Sequence, residues 1–288
     1  MRTLEDGMKI THDFHIHTRL SLCAGPQGGT YKEYIEQFLS QGLEKVGFTD
    51  HFWDERVGHE GLYLDCRNAG VPHYYKTQNF DHISQLKEEI YTVSSKGIEV
   101  FFGAEAEYDP IRRDVALSKE TADKLDFVVV PNSHTHMIMP KAYYEPWEKH
   151  RDFMVQAFED IVSSPLKDKI LALAHPFYAV NCPYDVEGLM STVSDDTSKR
   201  IFTKAAENGI AIEINTSCVG ELCSQGLDAP AREHIRMFSL AKKCGAKFTF
   251  GSDAHSVAGH RDYNMWCDKS VTLFGITEND IATLPTKL

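Results

Sequence analysis

The chain alternates short, nearly continuous apolar runs with longer stretches whose apolar positions recur three or four residues apart. Runs at residues 9–17, 45–51, 98–105, 126–130, 170–176, 210–217 and 247–255 read as strands buried on both faces, the pattern of a parallel sheet. Between them, Tyr31, Tyr34, Ile35, Phe38 and Leu39 fall at helical spacing within residues 31–43. Residues 80–95, 145–162, 198–208 and 230–244 read as further helices, and Gly97, Gly209 and Gly245 stand where three of them should stop. A closing helix is expected over residues 276–284, opened by the capping-box-like Thr277-Glu278-Asn279-Asp280. Residues 52–77 break the rhythm. They are rich in aromatics, Gly and His (His59, His73) and read as a long loop, the kind of segment that often forms a lid or a binding surface.

This alternation predicts a parallel α/β architecture. Polar residues at positions 15, 51, 105, 134, 175, 215 and 253 end the seven strands, with gaps of 36, 54, 29, 41, 40 and 38 residues. Each gap is about one βα unit, the 54 being enlarged by the long loop. In a closed βα barrel the C-terminal strand ends are where active sites form. An open doubly wound sheet is the rival, but it would not bring seven strand ends to one spot. Nothing divides the sequence, so one domain over residues 1–288 is expected.

Composition narrows the function. Of 288 residues, 42% are hydrophobic, and 42 acids against 30 bases give a formal charge of −12. That balance disfavours capture of a nucleic-acid backbone, which needs a positive footprint. No apolar run approaches the length of a membrane span and the N-terminus is polar, so no membrane partner and a cytoplasmic location are expected. The seven cysteines (Cys23, Cys66, Cys182, Cys218, Cys223, Cys244, Cys267) lack a Cys-x-x-Cys pair and read as reduced thiols.

The chemistry starts at Asp13-Phe14-His15-Ile16-His17-Thr18. Period two places His15 and His17 on one strand face, a half-site for a divalent metal. An isolated His-x-His is more often an exposed pair on an edge strand. Here His51, Glu105, His134, His175, Asp253 and His255 recur at the ends of further runs. Six histidines and two acids exceed the needs of one tetrahedral zinc, whereas two or three ions sharing a carboxylate would absorb them. Imidazole and carboxylate ligands suit Zn, Mn or Fe, and clustered metals suit displacement at phosphorus.

The ordered motifs Asp-x-His-x-His-Thr, Thr-Asp-His, Gly-x-Glu, Ser-His, Ala-His-Pro, Glu-x-Asn and Gly-Ser-Asp-Ala-His, spanning residues 13–255, resemble the PHP superfamily. That family includes histidinol-phosphate phosphatases, other phosphoesterases and the metal-binding domain of bacterial replicative polymerases. The resemblance implies a distorted seven-stranded TIM-like (β/α)7 barrel. It implies His15, His17, Glu105 and Asp253 as ligands of one metal, with Glu105 bridging to a second held by His134 and His175. His51 and His255 would then serve a third. His136 competes with His134. Many trinuclear members carry a third histidine where this chain has Cys23, so either Cys23 holds the third metal as thiolate, or it is a small packed residue, or two metals suffice.

The resemblance implies a metal-dependent phosphoesterase acting on a small phosphomonoester such as histidinol phosphate, with a metal-activated water attacking phosphorus and Asp253, Glu105 and His255 as catalytic residues. Rival readings are a nuclease or amidohydrolase-like enzyme on the same barrel, or a non-catalytic metal-binding domain. The oligomeric state stays open. Arg19, Arg112, Arg113 and Arg261 are either phosphate forks or surface residues, Arg19 and Arg261 lying just after metal motifs. Asp13 and Asp50 either brace a metal-bearing imidazole or cap a turn. His59, His73, His82, His150 and His234 read as surface or helix residues. Tyr143, Tyr144, Pro146 and Trp147 either pack or wall a pocket.

Overall fold

A computed structural model describes residues 8–58, 76–93, 97–179, 185–224 and 232–286. Its strands are β1 (His12–Ile16), β2 (Lys45–Phe48), β3 (His51–Phe52), β4 (Glu99–Ala106), β5 (Tyr108–Asp109), β6 (Asp114–Val115), β7 (Phe127–Pro131), β8 (Ile170–Ala174), β9 (Ala211–Asn215) and β10 (Phe248–Gly251). Seven of them run in parallel in the order β1-β2-β4-β7-β8-β9-β10, with β3 adding to β4 and β5-β6 forming a small antiparallel pair. The ends of this path meet. Asp253 N–H donates to the His15 carbonyl (2.7 Å) and His17 N–H to the Ala254 carbonyl (3.0 Å). The sheet is therefore a nearly closed barrel, as the strand-end spacing requires, and not an open doubly wound sheet.

Helices Tyr31–Gln41, Phe80–Val93, Trp147–Val162, Asp195–Glu207 and Arg232–Lys243 cover the barrel where the periodicity places them. The first is set by chemistry at both ends. Thr30 and Glu33 form a capping box, and Gly42 ends the helix in the left-handed conformation (φ 72°). Apolar side chains on the outer faces of the strands join those of the helices in one large core.

The barrel interior is a second, smaller core of Phe14, Phe101, Phe127, Val129, Ala172, Ala174 and Ala211. The Phe14 ring meets those of Phe101 and Phe127 with centroids 5.6 and 5.2 Å away. Glycines make the room: a Cβ on Gly103 would come within 2.6 Å of the Phe127 ring, and one on Gly47 would overlap it. On β4 the inward side alternates Phe101, Gly103, Glu105, so one strand face rises from an aromatic plug to a carboxylate.

Several expectations are corrected. The second strand breaks after Phe48, and β3 resumes at His51 because Glu105 N–H bonds to the carbonyls of both Thr49 and Asp50. The strand expected through residue 217 ends at Asn215, and the chain turns straight into helix Thr216–Ser224. Helix Tyr263–Phe274 was not anticipated, since its apolar face is weakly marked. The tail forms the predicted capping box, Thr277 Oγ1 to Asp280 Oδ2 at 2.7 Å, yet only one 3-10 turn follows, because Ile281 pairs with Phe248 instead. His150 and His234 lie on helices but are buried, bonded to Thr135 and Glu187. His59, His73, Cys66, Cys182 and most of the long loop lie outside the described residues.

Candidate metal centre

His15 and His17 leave β1 at the C-terminal mouth of the barrel. The register shifts between Asp13 and Ile16, and this irregularity lets Phe14 join the interior plug while its neighbour His15 faces inward too. Both imidazoles are fully buried, and their Nε2 atoms face each other at 3.1 Å. The Nδ1 partners set the tautomers. His15 Nδ1 lies 2.7 Å from Glu213 Oε1, a carboxylate that accepts its proton. His17 Nδ1 lies 2.9 Å from Ser21 Oγ, and that hydroxyl already donates to Asp50 Oδ1 (2.7 Å), so it accepts from His17. Both Nε2 atoms are thus left with lone pairs aimed at one point. Two lone pairs in such contact repel, and either a proton on His15 Nε2 or a cation placed between the rings relieves them.

Glu105 stands at the centre, 1% exposed. Its Oε1 lies 3.1 Å from His175 Nε2 and 3.5 Å from His134 Nε2. Its Oε2 lies 2.9 Å from His51 Nδ1, 3.4 Å from His17 Nε2 and 3.5 Å from His15 Nε2. The two oxygens of one carboxylate therefore face different imidazoles of a continuous ring. Asp253 Oδ1 lies 3.1 Å from His17 Nε2 and 3.6 Å from His15 Nε2. His255 donates Nδ1–H to the Asp253 carbonyl (2.9 Å), which leaves its Nε2 with the lone pair, and its ring stacks on His17 with centroids 4.3 Å apart. His175 and Asp253 both sit at positive φ (26° and 54°), backbone strain of the kind that functional sites retain.

The electrostatics follow from burial among opposite charges. Burial opposes a charge on His15, but Glu213, Asp253 and Glu105 outweigh it and raise its pKa well above the ordinary value. Burial likewise resists the ionised forms of Glu105 and Asp253, yet the surrounding imidazoles hold both carboxyls well below the carboxylate range. His17 is depressed by its own burial and by His255 and His51. The carboxylates thus favour positive charge at the converging nitrogens. The donor set fits divalent metal on chemistry as well. His15, His17 and Glu105 offer ligand atoms within 4.8 Å of one another, as do His51, Glu105 and His134, and also His15, His175 and Asp253. Ligands about 2.0–2.2 Å from a shared ion would span comparable distances.

Two carboxylates central to this arrangement were given no role in the sequence reading, although Glu213 opens its Glu-x-Asn motif. Glu213 orients His15 and also accepts His175 N–H (2.6 Å), tying β1 to β8. Glu107 holds His134 Nδ1 at 2.8 Å, and period two from Glu105 was the signal that placed it on the same face. Ser133 Oγ lies 2.7 Å from His175 Nδ1. Asp50 both binds Thr18 (N–H 2.7 Å, Oγ1 2.8 Å) and supports His17 through Ser21. Asp13 accepts from the backbone of His15 and Ser252 and from His260 (2.9 Å), fixing the seam between β1 and β10.

The other candidates divide. His134 Nε2 faces Glu105, while the His136 ring lies beside it, 5.6 Å between centroids. The Cys23 sulfur lies with His17, His51 and His255. Arg19 pairs with Glu89 at 3.2 Å and Arg113 with Asp160 at 2.8 Å. Arg261 is exposed, its carbonyl bonded to Gln41 at the C-terminal end of helix Tyr31–Gln41, the end remote from the strand C-termini. Tyr143 and Trp147 are exposed, and Tyr144 is buried.

The fold and the site together define a βα barrel with a buried histidine–carboxylate ring that fits divalent metals. Residues 13–217 match the model of the PHP domain family, and the chain belongs to that family. It is 22% identical over 248 residues to a probable phosphatase of Aliivibrio fischeri, covering 86% of this chain and 79% of that protein. It is 23% identical over 284 residues to a probable phosphatase of Aeromonas hydrophila, covering 98% and 93%. The barrel also resembles the crystal structure of histidinol phosphate phosphatase from Lactococcus lactis, complexed with zinc, L-histidinol and phosphate, with a TM-score of 0.60, 18% identity and 92% coverage of both chains.

Proposed function

We propose that this protein is a metal-dependent phosphatase that hydrolyses a small phosphomonoester of the histidinol-phosphate kind. One observation carries the reading: the two oxygens of Glu105 face different imidazoles, His134 and His175 on one side and His15, His17 and His51 on the other, as a carboxylate shared by two cations would. The names of the PHP relatives support the phosphatase class. The formal charge of −12 argues against a long polyanion as substrate.

Bound divalent ions would supply charge for the phosphoryl oxygens and an activated water for in-line attack. The chain's own part is positioning. His15, His17, Glu105 and Asp253 would hold one ion, and Glu105, His134 and His175 would hold a second. Glu213 and Glu107 fix the rings of His15 and His134 through their Nδ1 atoms, which keeps each Nε2 directed inward. Asp253, one-fifth exposed where the other ligands are buried, is the group placed to take a proton from the attacking water.

The test is a panel of small phosphomonoesters, histidinol phosphate among them, assayed with metal content measured in parallel and single-stranded DNA as comparator. The expected result is phosphate release that disappears on chelation and returns with zinc, manganese or iron. More efficient cleavage of DNA than of every phosphomonoester would replace this reading with a nuclease.

A further inference from the structure

Four side chains at one edge of the ring differ from the rest in including sulfur. The ligand atoms of His17, Cys23, His51 and His255 lie within 4.8 Å of one another. The three rings close on one another, His17 with His255 at 4.3 Å and His17 with His51 at 4.5 Å between centroids. His255 donates Nδ1–H to the Asp253 carbonyl, and the imidazole also hydrogen-bonds the Cys23 thiol. His17 and His51 are buried, His255 is half-buried and Cys23 is exposed, so the sulfur closes the group from the solvent side.

The loop bearing Cys23 is fastened to the residues it faces. Ser21 Oγ lies 2.9 Å from His17 Nδ1, accepts His51 N–H at 3.1 Å and donates to Asp50 at 2.7 Å. The Ser21 carbonyl accepts Ala24 N–H (3.0 Å) and Gly25 N–H (3.3 Å), closing the turn that carries Cys23. One buried hydroxyl thus sets the positions of two imidazoles and the thiol together. A surface thiol with only a packing role has no need of such a tie.

We propose that Cys23 supplies a thiolate ligand to a cation position completed by His51 and His255 and walled by the His17 ring, giving this one position sulfur–nitrogen ligation. The inference rests on the ring binding divalent metal, as the phosphatase reading does. Thiolate favours zinc and cobalt over manganese and magnesium, whereas the positions around Glu105 carry only nitrogen and oxygen donors. Metals would therefore sort by site: the Cys23 position keeps zinc when manganese is in excess, and the Glu105 positions exchange. Binding displaces the thiol proton to solvent, and the bond formed is sulfur to metal, with no oxidation or reduction.

The test uses the full chain, stripped of metal by chelation and reloaded with cobalt(II), which reports sulfur ligation by a near-ultraviolet charge-transfer band. Wild type should show the band. Cys23→Ser and Cys23→His should lack it, the serine variant binding at most one fewer ion per chain and the histidine variant binding as many as wild type. Alkylation of Cys23, followed by mass mapping, should slow about tenfold or more on zinc loading. A cobalt-loaded wild type without the band, a band that survives Cys23→Ser, or equal alkylation rates with and without zinc would overturn the assignment. Circular dichroism and the melting temperature of the metal-free variants establish that each is folded. Phosphomonoester hydrolysis on the same samples separates the two claims. An active wild type without the band overturns the thiolate position and leaves the phosphatase reading intact. A band lost in Cys23→Ser, in a protein that cleaves no phosphomonoester, supports the thiolate position and overturns that reading.

Discussion

The two ends of the barrel interior are built by the same strands and share almost no chemistry. At the N-terminal end, Phe14, Phe101 and Phe127 interlock over Ala172 and Ala211, and Gly47 and Gly103 give up their side chains to let the rings in. At the C-terminal end, the same inward faces carry Glu105, Glu213, Asp253 and their histidines. The floor spends burial on packing. The rim buries charge, holding carboxylates and imidazoles in close contact where apolar residues would be cheaper. The contrast places fold stability and the candidate metal ligands on separate levels of one barrel, and it gives each level its own expected response to substitution.

The largest effect is expected at the rim. Glu105→Ala removes the carboxylate whose two oxygens face different imidazoles, so the protein should lose more than one metal equivalent and on the order of a thousandfold or more in kcat/KM. The metal-free variant should also melt somewhat below metal-free wild type, because the imidazoles that hold Glu105 ionised lose their buried counter-charge. Elemental analysis, steady-state kinetics and melting curves check this, and full metal content with full activity would break the contrast. Phe127→Ala should do the reverse, costing about 3–5 kcal/mol of stability in denaturant unfolding while the folded protein keeps its metal count.

A titration at the floor sharpens the comparison. Burial lowers the pKa of His12 to about 4, with Asp13 opposing, and its Nε2 accepts Phe250 N–H at 3.1 Å, so it stays neutral in the fold. The unfolded chain takes up a proton at His12 below about pH 6.5. The folded chain refuses that proton until about pH 4. The stabilisation is therefore present above pH 6.5 and is lost as pH falls toward 4, at most about 3 kcal/mol. His12→Gln, which can still accept from Phe250, should lack this part of the slope. Urea midpoints of the two metal-free proteins at pH 7, 5.5 and 4.5 measure it, and parallel pH dependences would refute it.

The barrel and most of its ring were legible because both are written in local patterns. Period two joined His15 to His17, and one polar residue per βα unit marked the strand ends. Glu213 was not legible in that way. It sits amid an apolar run, Ile212-Glu213-Ile214, and its importance comes from contacts with His15 and His175, distant in sequence. The shift in β1 that turns both Phe14 and His15 inward is equally non-local, set by Asp13 bonding to the backbone across the seam. The closing helix failed for the opposite reason: its local signal was genuine, and pairing of Ile281 with Phe248 overrode it.

Glu213 also yields the smallest expected effect. Glu213→Gln keeps the shape and leaves an acceptor for His15 Nδ1–H or His175 N–H, but removes a buried negative charge. Loss of such a support costs about 10–100-fold in metal affinity, to be read by competition against a chromophoric chelator. An unchanged affinity would make Glu213 a packing residue.

The account's central claim is that the rim of this barrel is a metal-dependent phosphatase site. Its most direct test is phosphomonoester hydrolysis followed while metal is added back, equivalent by equivalent, to chelator-stripped protein. The account predicts no phosphate release from the stripped chain and a rise that saturates with the filling of the ring. Hydrolysis by the stripped chain at the rate of the loaded one would contradict it.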